Sequence, residues 1–308
     1  MDYVQLLSRE EIRLPLPQEL LAGKRVLVTG GGGSIGSELC RQIAGADVKE
    51  LVALDVNENG AYALASELKG CPFRVEIGSI RDRRRMGQVF SRLRPELVFH
   101  AAAHKHVPLM EACPGEAIKN NVFGTRNVLE AACSAGAEKV LLISTDKAVC
   151  PSSVMGATKF LAEQLTRTAC IAVRFGNVLG SAGSVVPLFL QQIAAGGPVR
   201  VTDPGMTRYF MTIPEAVSLV LRAALEGIGG ELFVLDMGEP VSILQLAEKL
   251  IADSGKEISI EYTGLRPGEK LAEALLTQKE AVRAEQRRRM LAVRPDAPDR
   301  LVLSDAME

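Results

Sequence analysis

From Arg25 to Phe175 the chain alternates short apolar runs with longer stretches of helical spacing. Residues 26–28, 50–55, 73–77, 97–100, 138–145 and 171–175 read as strands, with helical patterns between them. Repeated strand-helix units of this kind predict a parallel sheet covered on both sides. Its functional residues should lie just past the carboxyl ends of the strands. Beyond Gly176 the alternation loosens, with Gly180, Gly183, Pro187, Gly196, Gly197, Pro198, Pro204 and Gly205 interrupting it. Helical stretches near 184–195 and 214–226 are expected there among short strands.

The first strand runs into a glycine turn. Residues 25–38 read Arg-Val-Leu-Val-Thr-Gly-Gly-Gly-Gly-Ser-Ile-Gly-Ser-Glu, with Gly30, Gly33 and Gly36 spaced G-x-x-G-x-x-G. Without Cβ atoms the first can take a strained turn, the second lets a pyrophosphate approach the backbone, and the third packs a helix on the strand. Ser34 and Ile35 open that helix, whose free N–H groups suit phosphates. Asp55 closes the second strand about 20 residues later, where a carboxylate bonds ribose hydroxyls. Strand, turn, helix and acid together point to a dinucleotide. Because Asp55 repels a 2′-phosphate and residues 56–59 offer no cation, NAD is expected rather than NADP. The expected architecture is α/β, a Rossmann-type doubly wound parallel sheet over residues 24–176. A surface segment at 1–23 precedes it, and a smaller C-terminal substrate-binding lobe over 177–308 follows, with late returns to the sheet.

Composition narrows the function classes. The 308 residues are 47% hydrophobic, enough for a large core and a second lobe, and the net charge of −1 argues against a nucleic-acid binder. Basic runs at 83–85 and 287–289 read as solvated faces of helix-like segments. Six cysteines without a C-x-x-C pair read mostly as small core residues in a reducing compartment. No apolar run approaches the ~18 residues that span a bilayer, so a cytoplasmic chain is expected. His104, His106 and Cys113 lack a further ligand with tetrahedral spacing, so no metal is expected. Residues from about Arg283 onward read as charged and frayed.

The segment 144–159 reads Ser-Thr-Asp-Lys-Ala-Val-Cys-Pro-Ser-Ser-Val-Met-Gly-Ala-Thr-Lys. Together with 29–38, 100–111, 120–125, 174–181, 206–211 and Arg-Pro-Gly-Glu-Lys at 266–270, it resembles the extended short-chain dehydrogenase/reductases. Within them it is similar to the CapD-like nucleotide-sugar 4,6-dehydratases of polysaccharide biosynthesis. The resemblance implies NAD as cofactor and a UDP-sugar, most simply UDP-N-acetylglucosamine, as substrate. It implies oxidation at C4, loss of water across C5 and C6, and return of the hydride to C6. Cofactor contacts are implied at Ser79, Ile80, Ala101, Ala102 and Lys159. Ser79 replaces the family's usual acidic residue near the adenine, with Asp82 close by. Substrate contacts are implied at Lys105, His106, Asn177, Ser184, Arg208, Arg266 and Glu269, the two arginines suiting a diphosphate. Pairing of helices at 114–135 and 152–168 implies a homodimer or larger assembly, and relatives with a membrane region leave open a soluble part of an anchored protein.

One departure carries the chemistry. The family's usual tyrosine, four residues before Lys159, is Met155 here, which cannot ionise. The expectation is that proton transfer has moved to Thr145-Asp146-Lys147, with Asp146 as acid and Lys147 as base, by resemblance to dehydratases with Asp-Glu at that place. A lysine base works neutral, a form that burial, Lys159 and the nicotinamide charge favour and Asp146 opposes. A 4-epimerase on the same scaffold, or a non-catalytic dinucleotide-binding protein, are the alternatives.

Overall fold

The computed structural model describes residues 3–7 and 9–296. Six strands follow the sequence pattern: β1 (Arg25–Thr29), β2 (Glu50–Asp55), β3 (Phe73–Ile77), β4 (Leu97–His100), β5 (Lys139–Ile143) and β6 (Ile171–Arg174). They stand in the order 3-2-1-4-5-6, all parallel. Leu232–Leu235 extends the sheet parallel to β6. Met290–Val293 and Glu285–Arg287 then close that edge as antiparallel strands, which makes a sheet of nine strands among the described residues. This is the doubly wound α/β sheet that the alternation predicted.

The two-residue period of β1 explains why both faces are covered. Val26 and Val28 point into one cluster with Leu39 and Ile43 of the helix Ser34–Ala44, whereas Leu27 joins Met86, Val89 and Phe90 of the helix Arg83–Leu93. Each fully buried side chain of this size contributes about 2 kcal/mol. A separate cluster is built by the helices Val185–Ala194 and Ile243–Ser254 with the short parallel pair Val199–Val201 and Ile260–Tyr262. The leading segment touches both clusters. Leu6 is buried in the smaller one, and Leu20 and Leu21 in the larger. Leu21 is fully buried, so this segment does more than run along a surface. Its one-turn helix Gln18–Leu21 is too short to show a period.

Three expectations are corrected. Arg287–Arg289 belong to a β-hairpin, not a helix: Met290, Ala292 and Val293 are buried against Leu232–Leu235, and that apolar strand pulls the basic turn to the sheet edge. Arg287 there pairs with Glu231 at 2.9 Å and lies over the Phe233 ring. For the same reason residues 285–293 are ordered strand rather than frayed end; the remainder of that expectation, 297–308, lies outside the described residues. Of the cysteines, Cys40 is in the core but Cys113, Cys133 and Cys150 are exposed, because each lies at or near the end of a helix or turn.

Candidate active site

The glycine turn after β1 is shaped by contacts that side chains would block. Gly30 has φ +74°, and a Cβ there would stand 2.6 Å from the Ala102 amide nitrogen, so the turn lies directly on Ala101 and Ala102 past β4. At Gly36 a Cβ would meet the Gly30 carbonyl at 2.0 Å. Gly33 enters the helix Ser34–Ala44 in extended conformation with no side-chain cap, leaving the first-turn N–H groups available for a phosphate. The Asp55 carboxylate accepts the Gly32 N–H at 2.8 Å and the Asn57 N–H at 2.8 Å, which sets it beside the turn. Ser79 Oγ accepts the Arg81 N–H. Asp82 caps the helix Arg83–Leu93 through the Arg85 N–H, so the carboxylate nearest the missing acid is already engaged. Ile80 is buried under Gly124 and shapes the wall from behind. A glycine floor that a Cβ would fill, an uncapped helix start and a fixed ribose carboxylate fit NAD.

At the end of β5, Thr145 caps a short turn, Asp146–Ala148, by accepting the Lys147 N–H. The Asp146 N–H donates to the Phe175 carbonyl at 3.0 Å, tying the turn to the end of β6. Asp146 is wholly buried; its Oδ1 accepts Thr145 Oγ1 at 2.9 Å and Lys147 Nζ at 2.9 Å. Lys147 Nζ also donates to Asn177 Oδ1 at 3.3 Å and faces the cleft in front of Asp146. The helix Val154–Thr166 seats on this turn at Gly156, where a Cβ would be 2.4 Å from the Lys147 carbonyl. One turn apart on that helix, Met155 packs with Met110 and Ala117, and Lys159 Nζ donates to the Ile143 carbonyl at 2.7 Å. Burial pushes the Lys159 amine down to about 8, against the pull of Glu163. His100 is held between the hydroxyls of Thr29 and Thr125, and burial, with the Lys159 charge, pushes it down to about 3, so it is neutral and structural.

The residues expected to hold substrate come together in one cleft of about 270 Å³: Lys105, His106, Asn177, Ser184, Arg208, Arg266 and Glu269, with Lys147 at its inner end. Among the described residues six cations line it (Lys105, Lys147, Arg200, Arg208, Arg266, Lys270) against Glu269 and Glu273, a balance suited to a diphosphate. They are not equally available. Arg208 donates to the carbonyls of Thr207, Lys270 and Leu271, so much of its guanidinium holds the 266–273 loop in place. Arg266 is exposed, and its N–H is taken by Glu269. Ser184 Oγ is buried with no partner among the described residues, at the start of the helix Val185–Ala194. Among the described residues no cluster of His, Cys, Asp or Glu could hold a metal, and no helix is long and apolar enough to cross a membrane.

Two groups were given no role in the reading of the sequence, although one lies in the 120–125 segment. Asn121, buried in a π-helical turn at Ile118–Gly124, bonds the backbone of His104 on both sides and the hydroxyl of Thr158. It thereby locks the Lys105 loop to the helix of Lys159. The signal was a pair of asparagines inside an otherwise apolar helical stretch. Glu273 stands 3.8 Å from Lys147 Nζ, and no local pattern marks it.

A doubly wound sheet with a dinucleotide cradle, and a lysine beside it on the helix after β5, defines a Rossmann-type dehydrogenase scaffold. Residues 26–295 match the family described as "Polysaccharide biosynthesis protein", and the chain belongs to that family of extended short-chain dehydrogenase/reductases. It is 52% identical to the capsular polysaccharide biosynthesis protein CapD of Staphylococcus aureus over 91% of its own length and 50% of that protein. The chain thus spans about half the length of that curated relative and of the EpsC protein of Bacillus subtilis, to which it is also 52% identical. It is 36% identical to Pen from Bacillus thuringiensis, with a TM-score of 0.86 over 91% of this chain and 92% of that one. It is 25% identical to a UDP-glucose 4-epimerase of Thermus thermophilus solved with NAD, at a TM-score of 0.73 over 83% and 91% of the two chains. The family is that of NAD-dependent nucleotide-sugar dehydratases and epimerases.

Proposed function

We propose that this chain is an NAD-dependent 4,6-dehydratase acting on UDP-N-acetylglucosamine, giving a 4-keto-6-deoxy sugar nucleotide for polysaccharide assembly. The observation that carries the reading is Lys147, bonded to the buried Asp146 past β5 and facing the cleft, while the usual tyrosine position is the buried Met155. Proton transfer then belongs to the β5 turn. The glycine turn and Asp55 would hold NAD, which would supply hydride acceptance at C4 of the sugar and hydride return at C6. Lys147 takes the C4 hydroxyl proton on oxidation and passes it to the bonded Asp146, which delivers it through Thr145 Oγ1 to the C6 hydroxyl as that group leaves as water; Lys147 then removes the C5 proton and returns it to C5 when the hydride reaches C6. Lys159 lends its charge beside the cofactor. Arg266, Lys105 and the open start of the helix Val185–Ala194 bind the diphosphate, while Arg208 shapes their loop. Met155 resembles the methionine that a subgroup of the 4,6-dehydratases carries in place of the tyrosine, and on that resemblance configuration at C5 is retained.

A second reading is a nucleotide-sugar 4-epimerase, favoured by the likeness to the Thermus enzyme. Incubation with UDP-N-acetylglucosamine and mass spectrometry separates the two: a dehydratase product is lighter by one water, an epimer has unchanged mass. Bound NAD with no turnover of any UDP-sugar would leave a binding protein and sink both.

A further inference from the structure

Glu273 confronts the proton-moving lysine from outside its turn. Its side chain is 4% exposed; Oε1 lies 3.8 Å from Lys147 Nζ and Oε2 3.7 Å from Lys270 Nζ. Among the described residues Oε2 has no hydrogen-bond partner. A carboxylate so far out of water is costly unless cations face it, and here two do. Its place is set by the fold on both sides. Before it, Ser152 Oγ donates to the Gly268 carbonyl at 3.0 Å, Arg208 donates to the Lys270 and Leu271 carbonyls, and Lys270 Nζ donates to the Val149 carbonyl at 2.8 Å. After it, Arg174 donates to the Leu275 carbonyl at 3.0 Å. The loop therefore brings a fixed anion to the Lys147 amine from the substrate side.

Lys147 needs such an anchor. Its flexible stem ends at Nζ, which Asp146 holds from the back and Asn177 from β6's side. Both follow sheet strands, and Glu273 is the carboxylate that faces the amine from the 266–273 loop. We infer that Glu273 is a positioning residue for the elimination: it holds the Lys147 amine between Asp146 and the 266–273 loop, so that the amine meets the sugar from one direction. This inference rests on the dehydratase reading. It also gives the loop two tasks, since Arg266 stands at the diphosphate end and Glu273 at the reacting end.

The test uses the full chain with NAD and UDP-N-acetylglucosamine. Glu273→Gln should lower kcat about tenfold with KM within about twofold, and Glu273→Asp should recover most of the loss. A second arm needs no turnover: competitive acetylation with acetic anhydride on the NAD-loaded protein, read at Lys147 by peptide mass spectrometry with exposed Lys69 as reference. Without its second carboxylate Lys147 should react about three times faster in Glu273→Gln, and near the wild-type rate in Glu273→Asp. Unchanged kcat with unchanged acetylation overturns the inference. A raised KM with unchanged kcat also overturns it, by making Glu273 a substrate ligand. If the wild type yields no dehydrated product, the dehydratase reading fails, and the acetylation arm alone decides whether Glu273 holds Lys147.

Discussion

Arg174 offers the sharpest test of what holds the site together. It heads the largest fully buried side chains, with its guanidinium between two carboxylates: Nε and one terminal nitrogen bond Glu163 at 3.1 and 2.7 Å, and the terminal nitrogens bond Glu280 at 3.1 and 3.3 Å. Glu163 also accepts the Ser144 hydroxyl, one residue before the Thr145-Asp146-Lys147 turn. Arg174→Met keeps the apolar stem but leaves Glu163 buried and uncompensated. Breaking such a buried pair from one side costs about 3–5 kcal/mol. Glu163→Gln keeps the shape and an acceptor and should cost less, about 1.5–3 kcal/mol. The double variant should be more stable than the sum of the single losses by at least about 1.5 kcal/mol, because the two share one interaction. The chain has no tryptophan, so urea unfolding is followed by far-UV circular dichroism, with size-exclusion elution as the second probe of a two-state transition. An Arg174→Met variant within about 1 kcal/mol of wild type, at unchanged m, would refute the reasoning.

Other outcomes follow from single groups. Asp55→Ala should weaken NAD by about 1–3 kcal/mol in calorimetry; wild-type binding of NADP as tight as NAD would overturn the ribose argument. Asp146→Asn and Lys147→Met should each cut turnover at least ~10²-fold with little change in KM, while Met155→Leu stays active; a normal Lys147→Met beside a dead Lys159→Met would move the base to Lys159. Burial raises the Glu280 carboxyl, but the Arg174 hydrogen bond and charge and the Thr277 cap outweigh it and hold it below the ordinary range. Its stabilisation is therefore present above the unfolded value of ~4.3 and lost as pH falls through the folded value. Denaturation midpoints of wild type and Glu280→Gln should converge as pH drops below ~4, and a constant gap from about pH 7 to about pH 3 would refute this. Light scattering at micromolar concentration should give a homodimer or larger assembly through the helices of 114–135 and 152–168; a monomer removes that proposal.

What could be read in advance followed from local period and spacing. β2 and β4 were legible to the residue because each is a mostly apolar run between polar turns, β3 because Phe, Val and Ile alternate with Arg and Glu, and the glycine turn because its spacing, with Gly36 packed on Gly30, lies within one strand-turn-helix unit. The stretch at 114–135 was readable only as one helix. In the structure it breaks into Pro114–Ala117, a π-turn and Thr125–Ala135, because Asn121 turns inward to take partners at 104 and 158. No window of neighbouring residues contains those partners. The same holds for the hairpin at 285–293, which is fixed by an antiparallel register against Leu232–Leu235.

The site divides along the same line. Asp146, Lys147, Met155 and Lys159 lie within fourteen consecutive residues (146–159), and that nearness made them visible as a motif. What aims them comes from elsewhere in the chain: Phe175 anchors the Asp146 amide, Asn177 and Glu273 face the lysine amine, and Arg174 ties the Ser144–Glu163 contact to Leu275 and Glu280. A buried carboxylate such as Glu273 has no local signature, since an acidic residue in a polar loop usually faces water. Its burial depends on Arg208 and Lys270 drawing that loop onto the β5 turn. Loss of those carbonyl contacts should therefore act at the reacting end as well as at the diphosphate end, because the same backbone positions both.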